Sequence, residues 1–191
     1  EESIEMVKIA CGDGIRGAVM TPHWIQGTNW QPAPDTVRGL VEEFNDRIKK
    51  EGLDFEVYPG MEIGIIADLP KVLSNGDVLT LADSDFILIE VPFYNIPLGI
   101  EEVIFGLETM GKTAVLAHPE RYSFWYNDFS KYERLKEHGV LFQLNMIALS
   151  GAYGPQAKQI SEKLIDAGAY ELIGSDCHSM GHVEAMKHTL T

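Results

Sequence analysis

The stretch Thr113-Ala-Val-Leu-Ala-His118 decides the fold of this chain. Its five small, β-branched or aliphatic residues form a run that is short for a helix and has the composition of a buried strand. The run ends at His118, an imidazole. The stretch therefore predicts a short buried strand with an ionisable residue at its C-terminal end.

The same unit recurs along the chain. Each further run is short, rich in Val, Ile, Leu and Phe, and followed by an acidic, imidazole or amide side chain. The runs are GAVMTP (17–22) before His23, FEVYPGM (55–61) before Glu62, FILI (86–89) before Glu90, VLFQL (140–144) before Asn145, and YELIGS (170–175) before Asp176 and His178. Segments with helical spacing separate the runs, which predicts strand-helix alternation around a parallel sheet.

The pattern gives a coarse map of elements. We expect strands at 17–22, 54–60, 85–91, 113–118, 140–145 and 170–175. We expect helices at 35–50, 97–110, 129–138, 155–168 and from 181 onward, and helical or irregular structure over 69–77. Asp35 is expected to cap the helix that it begins. Residues 23–34 are expected to form a loop, because glycine and proline interrupt any period there.

The chain opens on a helix-like segment and not on a strand. Ile4, Val7 and Ile9 fall near helical spacing, with Gly12 and Gly14 behind them. A parallel α/β barrel normally begins with a strand, so we expect the first strand and its loop to lie upstream of Glu1. With that strand counted, the alternation gives about seven βα units.

The composition describes a globular chain with an acidic surface. Hydrophobic residues make up 45% of the 191 residues, a length that suits one domain, and no apolar stretch reaches the about 18 residues that span a bilayer. The net charge of −14 argues against nucleic acid as a partner, because phosphates bind Lys and Arg. Cys11 and Cys177 are too few for a disulfide framework and favour reduced thiols in the cytoplasm.

The polar residues that follow the runs are expected to converge. The C-terminal ends of parallel strands meet on one face of a barrel, and clusters of His, Glu and Asp are typical of metal sites. Asp176 and His178 lie two positions apart after a buried strand, where two ionisable groups are costly without a metal or other partners. The sequence therefore predicts a metal centre at this face.

Six motifs together resemble a known family. They are TPHW (21–24), PGMEI (59–63), LIEVP (88–92), AHPERY (117–122), FQLN (142–145) and SDCH (175–178). In this order they resemble the polymerase and histidinol phosphatase (PHP) family, and within it the bacterial capsule-type metal-dependent protein tyrosine phosphatases. The likeness covers essentially the whole chain.

The resemblance implies a fold and a cofactor. The fold is a distorted (β/α)7 barrel, with residues 1–191 as a single phosphatase domain that lacks its first strand. The cofactor is a set of up to three divalent ions, usually Mn²⁺, with Fe, Zn or Mg as alternatives. The family also has a His-x-His pair in its first strand and an Asp-Asp-Gly in the next loop, and neither occurs in this sequence.

The resemblance also assigns roles by motif match. It implies six metal ligands: His23, Glu62, Glu90, His118, Asp176 and His178. His23 and His178 would share one ion, Glu62 would bridge two, Glu90 and His118 would complete a second, and Asp176 would join a third. Arg121 resembles the family's phosphate-binding arginine. His182 stands where the family usually has a second arginine.

These residue types suit phosphoryl transfer. Adjacent divalent ions acidify a water and clamp phosphoryl oxygens, and an arginine offers a bidentate fork to phosphate. Arg121, Asp176 and His178 are therefore the predicted catalytic residues. A phosphotyrosine ring would need an apolar slot beside the metals, and the candidates for it are the aromatic residues of two loops: Trp24, Trp30, Tyr122, Phe124, Trp125 and Tyr126.

Some of these residues also have structural interpretations. Glu62 and Glu90 are placed to cap the helices that follow them, and Asn145 to tie loops together by hydrogen bonds. Arg121 could pair with Glu120. The aromatic loop residues fit rim packing or a protein interface equally well.

The predicted function is dephosphorylation of the tyrosine-rich tail of a bacterial kinase in capsule or exopolysaccharide synthesis. A cysteine-dependent mechanism does not fit, because the Cys-x5-Arg spacing ends at Val183 after Cys177 and at Gly17 after Cys11. Two alternatives stay open. One is a PHP phosphoesterase for a small ester such as histidinol phosphate or a nucleotide, and the other is a non-catalytic module that docks the kinase tail. A homo-oligomer also stays open.

Overall fold

Parallel strands and helices alternate along the chain, as the runs predict. The computed structural model describes residues 1–93 and 99–187. The strands are β1 (Gly17–Met20), β2 (His23–Trp24), β3 (Glu56–Pro59), β4 (Glu62–Gly64), β5 (Phe86–Glu90), β6 (Thr113–Ala117), β7 (Leu141–Asn145) and β8 (Leu172–Gly174). The helices are α1 (Glu2–Gly12), α2 (Pro34–Lys50), α3 (Leu69–Ser74), α4 (Ile100–Thr109), α5 (Ser130–Glu137), α6 (Met146–Ser150), α7 (Pro155–Asp166) and α8 (Met180–Lys187).

All strand pairs of the sheet are parallel. The order is β2-β4-β5-β6-β7-β8, and β1 pairs separately with β3. Met20 faces Pro59 and His23 faces Glu62, so the register of the first pair continues into the second. The strand predicted at 17–22 is therefore divided into β1 and β2, and the strand predicted at 54–60 continues as β3 and β4. Each pair occupies one strand position of the sheet with a short interruption, whereas the runs suggested continuous strands. Pro22 lies at one interruption, where it cannot donate a ladder hydrogen bond.

Both faces of the sheet are apolar, as expected for parallel strands covered by helices. In β5, Ile87 and Ile89 join the main core under the helices, whereas Leu88 lies on the other face with Val115 and Ala117. Glu62 is the register partner of Leu88 and so lies on that second face. The second face of the sheet therefore carries the site residues.

The first helices form a separate small core against β3. Ile4 and Val7 of α1 pack with Val41 and Ile48 of α2 and with Val57. The helix-like spacing at the start of the chain is thus confirmed, and its apolar side is buried. None of the helices in the described residues is long and apolar enough to cross a membrane.

Helix α2 begins one residue before its predicted start. Pro34 lies in its first turn and Ala33 is the N-cap, so the prediction that Asp35 caps this helix is wrong. Proline suits the first helical position because its missing N–H would have no partner there. The loop predicted over 23–34 is consequently wrong at both ends, since His23–Trp24 form a strand and Pro34 is helical.

Other differences concern short elements. Helix α6 was not predicted, and five residues are too few for a helical period to be visible. Asn145 caps it by accepting a hydrogen bond from the Ile147 N–H at 3.0 Å. The first residues of the helix predicted at 97–110 lie outside the described part of the chain, and the described helix begins at Ile100.

Candidate metal and phosphate site

Four predicted ligands form one cluster on the second face of the sheet. Nε2 of His118 lies 2.9 Å from Oε1 of Glu62 and 3.5 Å from Oε1 of Glu90. Nδ1 of His23 lies 3.6 Å from Oε2 of Glu90. One ligand atom from each of His23, Glu62 and Glu90 lies within 4.8 Å of the others, so a single cation could contact all three.

The two carboxylates of the cluster differ in their pKa. Burial alone would raise the pKa of Glu62, but the hydrogen bond and charge of His118, with the charge of His23, outweigh it and lower the pKa below its usual value. Burial and the neighbouring Glu62 raise the pKa of Glu90. The cluster thus holds two adjacent carboxylates at the cost of mutual repulsion, which a divalent cation would offset.

The imidazole nitrogens fit a metal ligand set. Nδ1 of His23 is buried, faces Glu90 and has no hydrogen-bond partner among the residues that the structure describes. His118 directs Nε2 at both carboxylates, and within the described part of the chain its own Nδ1 has no partner either. Neutral imidazoles together with carboxylates are a donor set that suits Mn, Fe or Zn.

The other two predicted ligands follow β8. Nδ1 of His178 lies 2.8 Å from the backbone oxygen of Asp176. Because a carbonyl only accepts hydrogen bonds, Nδ1 is the donor, which in a neutral ring leaves Nε2 as the nitrogen that can bind a metal. Such an outer hydrogen bond commonly orients a metal-binding imidazole. The rings of His23 and His178 stack with their centroids 6.3 Å apart, which joins the two groups of predicted ligands.

Arg121 is held by Asp176 and by two aromatic rings. Its Nη1 donates to Oδ2 of Asp176 at 3.1 Å, and its guanidinium carbon lies 4.7 Å from the ring centroid of Phe93 and 4.3 Å from that of Tyr153. Asn145 donates to the same Asp176 oxygen at 2.8 Å. The structural interpretation of Asn145 as a hydrogen-bonding tie is thus confirmed.

The suggested pair between Arg121 and Glu120 is wrong. Glu120 is fully buried, and its carboxylate accepts the Asn145 N–H at 2.9 Å and the Tyr170 hydroxyl at 2.8 Å. Burial raises the pKa of Glu120, and these hydrogen bonds oppose the rise only in part. Glu120 therefore ties the loop after β6 to the protein interior, while Arg121 lines the cleft.

A cleft of about 510 Å³ joins the two groups. Its polar lining includes His23, Glu90, Arg121, Asp176, His178 and His182, whereas Glu62 and His118 lie buried behind it. The apolar lining includes Ile25, Trp30, Pro92, Phe93 and Tyr153.

Two aromatic residues of the cleft, Phe93 and Tyr153, were not predicted from the sequence. Phe93 follows the LIEVP motif directly and could have been found, but Tyr153 follows the unpredicted helix α6.

Two residues predicted to contact substrate lie outside the cleft. Trp24 is 4% exposed and packs in the main core, because alternation in β2 sends it to the side opposite His23. Tyr122 is 0% exposed, and its hydroxyl donates to the Ala117 oxygen and accepts the Val91 N–H. Of the six aromatic residues predicted to form the slot, all within the described part of the chain, only Trp30 lines the cleft. The other three pack in or against the core: Phe124, Trp125 and Tyr126.

His182, which stands at the position of the family's second arginine, does line the cleft. Its Nδ1 lies 3.2 Å from the His178 N–H nitrogen and 3.2 Å from the Asp176 oxygen. The first turn of α8 thus brings His182 back toward the two residues that follow β8.

Two site residues have left-handed backbone conformations. The φ angles are 35° at His118 and 47° at Asp176, a region that costs a residue with a side chain about 1–3 kcal/mol. Alternation from Leu116 would send His118 toward the main core. The turn at His118 instead brings its ring to Glu62, so the strained backbone serves the cluster.

The fold and the site define a class of protein: a parallel α/β protein with a carboxylate–imidazole centre and an arginine at the C-terminal ends of its strands. The chain belongs to the capsular polysaccharide synthesis, CpsB/CapC family, whose model matches residues 1–188. The predicted likeness to capsule-type proteins is thereby confirmed.

Relatives of known name agree with this membership. Tyrosine-protein phosphatase YwqE of Bacillus subtilis (strain 168) is 34% identical over 179 residues, which span 94% of this chain and 70% of YwqE. Tyrosine-protein phosphatase CpsB of Streptococcus pneumoniae is 24% identical over 185 residues, which span 94% of this chain and 76% of CpsB.

A solved structure also matches this fold. It comes from "Crystal structures of YwqE from Bacillus subtilis and CpsB from Streptococcus pneumoniae, unique metal-dependent tyrosine phosphatases". The TM-score is 0.89 at 33% identity, over 99% of this chain and 78% of that chain. The predicted parallel α/β architecture is thus confirmed.

Proposed function

We propose that this chain is a metal-dependent tyrosine-protein phosphatase of capsule or exopolysaccharide synthesis. The single observation behind the proposal is that a buried cluster of carboxylates and imidazoles and a held arginine share one cleft. Membership of the CpsB/CapC family and the names of YwqE and CpsB support the same activity.

The proposed ligands are His23, Glu62, Glu90 and His118 in the cluster, with Asp176 and His178 at the end of β8. The Nδ1 of His23, which has no hydrogen-bond partner among the described residues, and the Nδ1 bond that orients the His178 ring support this set. We propose Mn²⁺ as the ion, with Fe, Zn and Mg as alternatives. When bound, divalent ions would acidify an attacking water and neutralise phosphoryl oxygens.

Arg121 is proposed to bind the phosphate. One of its N–H groups is used by Asp176 and its faces are covered by Phe93 and Tyr153, which leaves the remaining N–H groups for phosphoryl oxygens. A guanidinium held in advance binds the transferring group without reorganisation. His182 is proposed as a further phosphate contact.

The finer description of the domain is also a proposal. We propose that residues 1–191 form one PHP-type domain, a distorted (β/α)7 barrel, and the six parallel strand positions support it. The proposed partner is the phosphotyrosine tail of a bacterial tyrosine kinase. Two free thiols, Cys11 and Cys177, agree with a cytoplasmic location.

Phosphate release from a phosphotyrosine peptide tests the proposal. The protein is stripped with EDTA, titrated with Mn²⁺, and assayed beside a matched phosphoserine peptide. We expect activity that the metal restores and that is selective for phosphotyrosine. Faster turnover of histidinol phosphate or a nucleotide would favour the small-ester alternative. Peptide binding without turnover at any metal concentration would favour the docking module.

Replacement of His178 tests the metal centre. His178 has a 60% exposed side chain, so His178→Ala should leave the melting temperature of the EDTA-stripped protein nearly unchanged and lower kcat with Mn²⁺ by roughly 100-fold or more. His138→Ala is the matched control, because His138 is also exposed and contacts only Glu101, at 3.9 Å, among the ion pairs of the described residues. Equal turnover by the two variants at saturating Mn²⁺ would remove His178 from the mechanism.

A further inference from the structure

Trp30 presents a large aromatic surface at the mouth of the cleft. Its side chain lines the cleft although the residue is 59% exposed. One face of the indole stacks on the imidazole of His23, with centroids 5.3 Å apart and an angle of 13° between the planes. The ring therefore stands directly beside a proposed metal ligand.

The loop after β2 fixes the position of this ring. The Trp30 carbonyl accepts the Ile25 N–H at 2.6 Å, and the Trp30 N–H donates to Oγ1 of Thr28 at 3.0 Å. Gln31 accepts the Gly27 N–H at 2.8 Å within the same turn. Both backbone polar groups of Trp30 are thus bonded inside the loop. The loop is therefore already ordered, and a ligand that contacts the indole loses little binding free energy to loop ordering.

The other aromatic residues of the cleft are already engaged. Phe93 stacks on His118, with centroids 5.6 Å apart, and also contacts the Arg121 guanidinium. The Tyr153 ring lies against the same guanidinium, and its hydroxyl is within 3.4 Å of Asp176. Trp30 differs from them because its large exposed fraction leaves an aromatic face open to the cleft.

We propose that Trp30 selects aryl phosphates, with the phosphotyrosine ring stacked on its indole while the phosphate reaches Arg121 and the metal ligands. This inference rests on the proposed function and adds the residue that would set its substrate class. Offset-stacked rings attract each other beyond the area that they bury, and a phosphoserine side chain has no ring to offer. Trp30 would therefore favour phosphotyrosine over phosphoserine.

Two phosphonates, one with a phenyl group on phosphorus and one with a methyl group, test this assignment without turnover. Phenylphosphonate and methylphosphonate are titrated by calorimetry into the Mn²⁺-loaded protein. Trp30→Ala should weaken phenylphosphonate about 10-fold or more and methylphosphonate by less than about twofold. Trp30→Phe should retain most of the preference. Phe105→Ala is the matched control, because Phe105 is 65% exposed and lies on α4.

Each outcome decides the proposal. Equal weakening of both phosphonates would overturn it and leave Trp30 as support for His23. The same affinity for both phosphonates in the unchanged protein would also overturn it, even if phosphate release from phosphotyrosine is observed. A preference for phenylphosphonate that depends on Trp30, in a protein that releases no phosphate, would support the role of Trp30 in binding aryl groups. It would at the same time refute the proposed phosphatase activity.

Discussion

Glu120 is the buried carboxyl group that holds the loop after β6 to its neighbours. It has no contact with the cleft, but it accepts one hydrogen bond from the backbone of Asn145 and one from Tyr170. Asn145 in turn binds Asp176, which holds Arg121. A residue outside the site thus fixes the geometry of the proposed phosphate contact.

Tyr170→Phe should destabilise the fold in a pH-dependent way. A carboxyl whose pKa is raised by folding contributes its full stability below its usual pKa and loses it as the pH rises through the folded pKa. The Tyr170 hydroxyl lowers the pKa of Glu120 and so limits that loss. Without the hydroxyl, we expect a cost of about 1.5–3 kcal/mol near neutral pH and about 1 kcal/mol near pH 4.

Urea denaturation of parent and variant between about pH 4 and pH 7 measures this difference. A cost that stays constant with pH would show that Glu120 has the same protonation state throughout. A cost that shrinks as the pH rises would contradict the inference that the Tyr170 hydroxyl lowers the pKa of Glu120.

Single residues were predictable where a strand ended at an ionisable side chain. His23, Glu62 and His118 follow apolar runs, and because the C-terminal ends of parallel strands meet on one face, their positions indicated a shared site. Trp24 and Tyr122 were misplaced because a sequence does not show which side of a short strand or turn a ring takes. The contact between Tyr153 and Arg121 joins distant parts of the chain, and no local pattern reveals it.

At the scale of elements, α3 and α4 approach each other at a glycine. A Cβ at Gly106 would lie 2.7 Å from Cγ of Pro70, inside van der Waals contact with a rigid ring. Gly39 is also inside a helix, α2, but a Cβ there would meet nothing within 4 Å. Substitution of Gly106 therefore tests helix packing, whereas substitution of Gly39 tests helix propensity alone.

Alanine at these two positions should have opposite effects. Gly39→Ala should raise the free energy of unfolding by about 0.5–1 kcal/mol, because glycine is a poor helix former. Gly106→Ala should lower it by about 1–3 kcal/mol through overpacking against Pro70. Thermal melts of both variants provide the measurement. Stabilisation by both substitutions would mean that α3 and α4 can separate at no cost.

Helices and strands with a clear pattern of apolar residues were predicted from the sequence. Short elements without such a pattern were not. The six runs gave the sheet positions because each contains enough aliphatic residues to identify a buried strand. The interruptions at Pro22 and at Gly60–Met61 were missed, because register between strands that are distant in sequence depends on tertiary pairing. Helix α6 has only five residues and is capped by Asn145, a residue that the sequence connected with loops.

For the whole molecule, negative charge is the main electrostatic feature. The chain carries −14 before any metal binds, and two of the carboxylates counted in that charge, Glu62 and Glu90, converge on His118 in the cluster. An anionic phosphopeptide therefore gains no long-range attraction from the net charge of this protein. Under the proposed function, its attraction would come locally, from the bound metals and from Arg121.

Metal binding should stabilise the entire fold. An ion that binds only the native state at about 100 times its Kd contributes about 2.7 kcal/mol, or about 5 to 10 °C in Tm for a chain of this size. We expect this rise when Mn²⁺ is added to the EDTA-stripped protein, and a smaller rise for Glu90→Gln. Glu108→Gln, an exposed change on α4, is the control. Melting curves that Mn²⁺ leaves unchanged would argue against a metal centre in this cleft.

The left-handed backbone at His118 and Asp176 limits how this protein can be engineered. Glycine or asparagine would adopt the same angles at a lower cost, so either replacement would relieve strain at these positions. A library selected for heat tolerance in the absence of metal would consequently enrich replacements that remove the proposed ligands. Any programme of stabilisation should keep the codons for His118 and Asp176 fixed and seek its gains on the helices.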